Sequence, residues 1–292
     1  MAEGETLEIG GSALVPLSER EFAAWQKERG IQVDCHRGRY WQNTGYGYYQ
    51  PIHLMARLKP EEATRPSVLS WGFRASLSDE ARDIANGSVP VYLLSDLAGY
   101  DIRSLPPKRR SDLRKCQKLV RLVRLKGMAV SGEEIFAAAV SSAKRTGYWS
   151  PPPIQEFLSK IERDFGDERR YVIAGLVDGK LAGYIEGVAV DGTAYVQSVI
   201  IATEYLPTSV GTGLIFEFAQ ACRRTEGVRE IVYGLFTPED ERLTAFKTGM
   251  GFPVVKVPAR VSVNPLLASF IKRRYPAKYY RMTGIGVSFM NG

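Results

Sequence analysis

Three apolar runs rich in β-branched and aromatic residues follow one another over residues 169–201, and an Asp-Gly pair lies in each gap. The pairs are Asp178-Gly179 and Asp191-Gly192. Both central residues of a type I′ turn need a positive φ, which this dipeptide adopts readily. The pattern therefore predicts a three-stranded antiparallel meander.

The residues after the meander change between helical and strand patterns. Apolar residues at helical spacing predict a helix over 214–224, and a short apolar run predicts a buried strand over 231–236. A second helix is expected over 238–248, and a further strand follows it. These elements predict a mixed α+β domain.

The first hundred residues show a similar mixture. A helix is expected over 17–29, and strands over 66–77 and 89–94. Between them, five aromatic residues surround two glycines, which suits either a hairpin core or the stacking of a base or sugar. They are Tyr40, Trp41, Tyr46, Tyr48 and Tyr49.

Two helices are expected just before the meander. Ser131 and Glu134 have the spacing of a capping box, and apolar residues at helical spacing predict a second helix over 154–165. The turn over 145–149 combines arginine with aromatic residues. It suits a substrate phosphate or carboxylate, or simply a capped helix end with a hydrophobic anchor.

Positive charge is concentrated in two segments. Residues 108–126 hold nine Lys or Arg and one acid, and residues 242–292 hold nine and no acid, although the whole chain carries only +7. Because glutamates are not mixed in, a polyanion partner is favoured. The first segment predicts a helix with its apolar side over 113–123. The second interleaves tyrosines, which suits a single-stranded nucleic acid end or a last strand with inward tyrosines.

Composition disfavours several classes of function. Two histidines and three separated cysteines give no pair at zinc-ligand spacing, so no metal is expected and the thiols are interpreted as reduced core residues. No nucleophile elbow accompanies His36 or His53, which disfavours a Ser-His-Asp hydrolase. Since no run of 18 apolar residues and no signal pattern is found, we expect no membrane span and a cytoplasmic location.

The order of hairpins, glycine turn, helix, strand, helix and strand resembles the core of the GNAT acyltransferase superfamily, whose members transfer an activated acyl group to an amine. In its acyl-CoA branch a glycine loop at a helix start holds phosphate. The matching loop here is Gly211, Thr212 and Gly213. That branch has Gln or Arg where this chain has Thr208, and a Tyr general acid where it has Phe246.

The Fem branch is more similar. Its members take an amino acid from aminoacyl-tRNA and attach it to an amine. The segment AFKTGMGF, residues 245–252, resembles the Phe-Lys-x-x-Phe-Gly segment of that family. Residues 105–122 resemble its Leu-x-x-x-x-Arg-x-x-Ile-Arg helix, and residues 141–157 its Thr-x-x-Arg-x-Gly-Phe segment. The resemblance spans roughly residues 105–284.

This resemblance implies an α+β fold of tandem GNAT-like domains, each a mixed, mostly antiparallel sheet flanked by helices. A degenerate domain is expected over 1–104, completed by 272–292, and a catalytic domain over 105–271. Lys247, expected to face solvent, would bind substrate phosphate or stabilise the oxyanion, and Glu186 is the general-base candidate. The expected substrate contacts are Arg145, Tyr148, Trp149 and Tyr195. The expected tRNA contacts are Arg114, Lys118, Arg121, Lys272, Arg273 and Arg274.

Three functions stay open at this point. The first is an amide-forming transferase that uses aminoacyl-tRNA as co-substrate, needs no bound cofactor and acts on a peptide or small amine. The second is an N-acyltransferase that uses acetyl-CoA or another acyl-CoA. The third is a non-catalytic GNAT-fold module that binds through its basic faces.

Overall fold

The computed structural model describes residues 4–147 and 149–286. Its strands are β1 (Glu5–Leu7), β2 (Pro16–Leu17), β3 (Val33–His36), β4 (Arg39–Asn43), β5 (Tyr48–Pro51), β6 (Gly72–Ser76), β7 (Gly87–Leu94), β8 (Arg121–Lys126), β9 (Tyr171–Val177), β10 (Lys180–Val190), β11 (Thr193–Ile201), β12 (Glu230–Leu235) and β13 (Val254–Val263). Its α-helices are α1 (Glu19–Glu28), α2 (Pro107–Leu119), α3 (Gly132–Thr146), α4 (Ile154–Phe165), α5 (Val210–Arg224), α6 (Glu241–Gly249), α7 (Pro265–Arg274) and α8 (Pro276–Thr283).

The chain forms two compact units, and neither is continuous in sequence. The first comprises residues 4–16, 94–147, 149–233 and 249–252, and the second comprises 17–93, 234–248 and 253–286. The boundaries expected from the sequence instead separate 1–104 from 105–271. Strand pairing explains the difference, because β1 joins the first unit through β8 and β13 joins the second through β6 and β7.

The sheet of the first unit has the order β1-β8-β9-β10-β11-β12. Neighbouring strands in this sheet run antiparallel, except that β11 and β12 are parallel. The three-stranded meander is confirmed as β9, β10 and β11. Its turn residues Asp178, Gly179, Asp191 and Gly192 have φ values of 50°, 80°, 47° and 80°, so Asp-Gly forms both turns as predicted.

Helices cover both faces of this sheet. Val172 and Ala174 on β9 belong to the core with α3 and α4. Tyr171 and Gly175 point to the opposite face, because side chains alternate along a strand. There the Tyr171 ring lies 6.3 Å from Phe218 of α5. The sheet therefore has α3 and α4 on one face and α5 on the other.

The basic segment expected to form one helix contains a helix and a strand. α2 ends at Leu119 and β8 begins at Arg121. The prediction of a helical apolar side through Leu122 and Val123 was wrong, because burial in β8 alternates with a period of two. Pairing of β8 with both β1 and β9 satisfies its backbone and decides in favour of the strand.

Other local predictions are corrected at helix ends. α5 begins at Val210 rather than Leu214, and Ser131 makes no side-chain cap at the start of α3. The last segment forms α7 and α8 instead of a strand, because Pro265 and Pro276 each occupy a first helical position.

Cys35 is exposed, contrary to the expectation of a core thiol. None of the described helices is long and apolar enough to cross a membrane.

The sheet of the second unit has the order β3-β4-β5-β6-β13-β7, antiparallel except for the parallel pair β5–β6. Trp41, Tyr48 and Tyr49 are buried, which confirms the hairpin-core interpretation for them, whereas Tyr46 is fully exposed. Each unit thus contains an antiparallel meander whose last strand pairs in parallel with the next. This repeated topology is the tandem α+β arrangement that the sequence predicted.

Candidate active site

The parallel strands β11 and β12 separate after a short paired stretch in the first unit. Their pairing runs from Thr193–Glu230 to Tyr195–Val232, whereas β11 continues to Ile201. Within the described residues, Tyr195 is therefore the last position of β11 that pairs with β12. An opening between parallel strands exposes backbone amides to an extended ligand. The candidate Tyr195 lies where this opening begins.

The glycine turn that follows β11 is tightly packed. Thr212 and Gly213 donate their backbone N–H groups to the Ser209 carbonyl oxygen at 3.0 and 3.3 Å, which closes the first turn of α5. A Cβ at Gly213 would lie 2.3 Å from Cys116 Sγ on α2. Gly213 is therefore needed for the contact between α2 and α5, whatever else it does. The phosphate role of Gly211, Thr212 and Gly213 stays a prediction.

Arg145 is hydrogen-bonded to the C-terminal end of β11. Its Nη2 donates to the Ile201 carbonyl oxygen at 3.1 Å, and the Thr203 N–H donates to Ser141 Oγ of α3 at 2.9 Å. Gly147 ends α3 with a φ of 68°, as expected of a left-handed cap. Of the other two predicted substrate contacts, Trp149 is exposed and Tyr148 lies outside the described residues.

Glu186 lies in β10 beside a bulge and is buried. Its Oε2 accepts a hydrogen bond from Arg170 Nη1 at 2.7 Å, and the same nitrogen lies 3.8 Å from Asp164 Oδ2. Burial raises the pKa of Glu186, Arg170 lowers it, and Asp164 raises it further. A buried carboxyl with a raised pKa accepts a proton more readily than an exposed one. The sequence indicated Glu186 but gave no sign of Arg170 or Asp164 as its neighbours.

Lys247 lies in the second unit, and its position differs from the expectation. It is the buried residue of α6, with an exposed fraction of 7%, and does not face solvent. Its Nζ lies 4.3 Å from the ring centroid of Tyr92, and the Tyr92 hydroxyl is hydrogen-bonded to Thr244 Oγ1 at 2.7 Å. A Cβ at Gly234 would lie 4.0 Å from the same nitrogen. The ammonium is thus enclosed by Tyr92, by Gly234 of the same unit and by its own helix.

Burial gives Lys247 an unusual acidity. It lowers the pKa of the ammonium from the ordinary 10.5 to about 8, and the carboxylate of Asp240 acts in the opposite direction. A contact between an ammonium and an aromatic ring stabilises the charged form as well. Near neutral pH this lysine is mostly charged but close to its titration point, which is a frequent property of functional lysines.

The basic residues expected to contact tRNA are exposed on separate elements. Arg114 and Lys118 lie on α2, whereas Arg121 lies on β8, so the three do not share one helix. Among the described residues no carboxylate pairs with any of them; the acid of this segment, Asp112, pairs with Lys108 and Arg109. The other three, Lys272, Arg273 and Arg274, are exposed in the last turn of α7.

Comparison with known proteins agrees with this architecture. The model of the acetyltransferase (GNAT) family matches residues 136–252. No curated protein is similar enough in sequence to match the chain.

Three solved structures share the fold over most of their length. One is the C-terminal domain of a protein described as a lysylphosphatidylglycerol synthetase from Agrobacterium fabrum, with 13% identity, a TM-score of 0.55, and 90% of this chain and 91% of that one covered. FemX has 10% identity and a TM-score of 0.54, with 86% and 93% covered. A conserved protein from Bacteroides thetaiotaomicron has 14% identity and a TM-score of 0.52, with 82% and 88% covered. The chain therefore has the fold of Fem-like members of the GNAT acyltransferase superfamily, and residues 136–252 match its acetyltransferase family.

Proposed function

We propose that the protein is an N-acyltransferase that takes an aminoacyl group from aminoacyl-tRNA and transfers it to the amine of a peptide or small molecule. The observation that carries amide-forming transfer is Lys247, an ammonium buried against Tyr92 in a GNAT fold. A buried charge is costly to keep, so its retention is best explained by use in the reaction.

The chemistry needs few catalytic groups because an ester is already activated. The neutral acceptor amine attacks the ester carbonyl carbon and forms the C–N bond, and the electron pair moves to the carbonyl oxygen. The tetrahedral intermediate then collapses and the ester C–O bond breaks. The tRNA ribose oxygen leaves with one proton, which balances the proton that the amine has lost. In this proposal Lys247 stabilises the oxyanion or a substrate phosphate, and Glu186 accepts the proton of the attacking amine.

Unpaired surface charge supports tRNA as the donor. Arg114, Lys118 and Arg121 have no carboxylate partner in the described part of the chain, and exposed cations of this kind attract phosphates. The presence of Phe246 also favours this donor, because the acyl-CoA branch commonly has a tyrosine there. The acceptor would be a peptide or small amine, by analogy with the Fem family.

Use of an acyl-CoA is the second candidate, and a specific observation favours it. The opening between β11 and β12 beyond Tyr195 can accommodate an extended, amide-containing chain such as the arm of CoA. The match to the acetyltransferase family over residues 136–252 points the same way.

Single-turnover transfer distinguishes the two donors. We expect product from aminoacyl-tRNA and none from acetyl-CoA, measured with the same labelled amine acceptor. Product from acetyl-CoA alone would replace the tRNA proposal by the second candidate. No product from either donor, with a panel of amines, would favour a binding module.

Charge reversal tests the tRNA surface directly. Replacement of Arg114, Lys118 and Arg121 by Glu should weaken tRNA binding and reduce the slope of log affinity against log salt by about 2 to 3. The matched control reverses three exposed lysines elsewhere and has the same change in net charge. Its substitutions are Lys59→Glu, Lys180→Glu and Lys256→Glu. Equal losses in both variants would show that only net charge matters and would contradict a defined tRNA surface.

A further inference from the structure

A pocket of about 380 Å³ lies within the second unit, with walls from β5, β6, α7 and α8. It is next to the parallel pair β5–β6, whose pairing covers only Tyr48–Gly72 and Tyr49–Phe73. In topology this pair is the counterpart of β11–β12 in the first unit, since each follows a three-stranded antiparallel meander. The second unit therefore has its own cavity at the position where the first unit has an opening.

The wall contributed by β6 carries a buried arginine. Arg74 has an exposed fraction of only 3%, and its guanidinium donates to two neutral acceptors, the Arg281 carbonyl oxygen and Gln50 Oε1, the latter at 3.3 Å. No carboxylate among the described residues pairs with it. Burial lowers the pKa of Arg74, and the Tyr48 side chain opposes that effect. A buried guanidinium without a counter-ion is costly and is better explained by an anion that binds there.

Other charges around the pocket are also positive. Lys278 lines it from α8 and is exposed. Arg281 lines it too, but its guanidinium pairs with Glu239, so its charge is compensated. The uncompensated charges facing the pocket are therefore those of Arg74 and Lys278. A planar guanidinium at the base and an ammonium at the mouth suit one carboxylate or phosphate group.

The remaining wall is aromatic. The rings of Tyr48 and Trp71 lie with centroids 5.0 Å apart, and both line the pocket. Tyr46 stands fully exposed at the rim with a φ of 53°. Its loop is held in place by Asn43 Oδ1, which accepts from the backbone N–H groups of Gly45 at 3.0 Å and Gly47 at 3.1 Å. A non-glycine residue fixed at a positive φ with its ring in solvent is typical of a ligand contact.

We propose that this pocket binds a small organic anion, whose carboxylate or phosphate group contacts Arg74 and Lys278 and whose planar body stacks on Trp71 and Tyr46. The site lies in the unit that does not contain the glycine turn, and its existence does not depend on the donor used for acyl transfer. It assigns the second unit a binding role of its own.

Titration with defined probes tests the proposal. Phenyl phosphate and benzoate present the two acidic groups on the same ring, inorganic phosphate presents the anion alone, and benzyl alcohol presents the ring without charge. Calorimetry and tryptophan fluorescence, to which Trp71 contributes, report binding to the protein. We expect at least one ring-bearing anion to bind more tightly than inorganic phosphate and benzyl alcohol, and the stronger of the two identifies the acidic group.

Three variants complete the experiment. Arg74→Met should weaken binding of the preferred probe about a hundredfold, the scale expected for loss of a charge-assisted pair. Lys278→Ala, at an exposed position that leaves folding intact, should weaken it about twofold to fivefold. Lys256 is exposed on β13 and does not line the pocket, so Lys256→Ala should have no effect.

Three outcomes would overturn the proposal. The first is the absence of any response to phenyl phosphate and benzoate up to about 10 mM, which corresponds to negligible affinity. The second is binding that is unchanged in Lys278→Ala and in a folded Arg74→Met protein, because the anion would then be held elsewhere. The third is equal binding of benzyl alcohol, because the site would then not recognise the charge.

Discussion

Replacement of Lys247 by methionine should stabilise the fold and lower the transfer activity. Methionine keeps a long flexible side chain but carries no charge. The pKa of Lys247 is lowered from 10.5 to about 8. At about 1.4 kcal/mol for each tenfold change in proton affinity, the buried charge costs the folded state about 3 kcal/mol. Loss of the contact with Tyr92 offsets roughly 1 to 2 kcal/mol of the gain. The expected net stabilisation at pH 7 is therefore about 1 to 2 kcal/mol.

The pH dependence of the difference in stability between Lys247→Met and the wild type identifies the cause of that difference. Below pH 8 both the folded and unfolded states hold the proton on Lys247, so the cost is constant and fully present. Between pH 8 and 10.5 the unfolded chain holds more protons than the folded one, so the free energy of unfolding of the wild type rises with pH. The advantage of the methionine variant should consequently shrink over that interval and vanish above it.

Urea unfolding at pH 7, 8, 9 and 10 measures this difference. Lys256→Met is the matched control, since Lys256 is exposed on β13 of the same unit and should show no pH-dependent change. A Lys247→Met protein that is less stable at pH 7, or equally displaced from wild type at every pH, would show that the ammonium is fully compensated in the fold.

Activity completes the argument about Lys247. Transfer by Lys247→Met and Lys247→Ala should fall about a hundredfold or more in single turnover, the scale expected for loss of an oxyanion partner. Lys247→Arg should restore only part, because a planar guanidinium does not fit a compact site beside Tyr92. A gain in stability together with a loss of activity would mark a functional residue, whereas full activity in the methionine variant would remove Lys247 from the proposed mechanism.

Two further predictions concern the first unit. Gly213→Ala should destabilise the protein by about 1 to 3 kcal/mol because the added Cβ overlaps Cys116 Sγ. If packing is the reason, Cys116→Ala should recover part of this loss in the double variant. Additive effects of the two substitutions would contradict that explanation. Glu186→Gln should lower transfer and remove the acidic limb of the pH profile of kcat/KM, whereas a lower rate with an unchanged profile would assign Glu186 a structural role in its pair with Arg170.

The meander could be predicted because its information is local. Each Asp-Gly pair specifies its own turn, and the turns specify which strands are neighbours. β8 could not be identified in the same way, since six residues that combine apolar and basic side chains become a strand only between β1 and β9, which come from distant parts of the chain. Tertiary pairing outweighed the helical spacing that continued from α2.

The contacts of Lys247 and of Gly213 could not be predicted from the sequence either. α6 has an apolar pattern that leaves Lys247 on its outer side, and the burial arises from Tyr92, more than 150 residues earlier in the chain. The glycine spacing at 211–213 resembles a phosphate loop, yet the close neighbour of Gly213 is Cys116 of α2. The contacts of both residues are non-local, and only the fold supplies them.

The two units differ in the connection that leads into their parallel strand pair, and this difference bears on the role proposed for the buried Arg74. In the first unit the connection from β11 to β12 contains α5, whose N-terminus carries a partial positive charge and is suited to an anion. In the second unit the connection from β5 to β6 covers residues 52–71, which are all described and form no α-helix. No helix dipole can act on the pocket beside β5 and β6 from that connection, so positive charge must come from a side chain. In the proposed site Arg74 on β6 supplies that charge from within the wall of the pocket, so the anion that we propose there does not need the N-terminus of a helix such as α5.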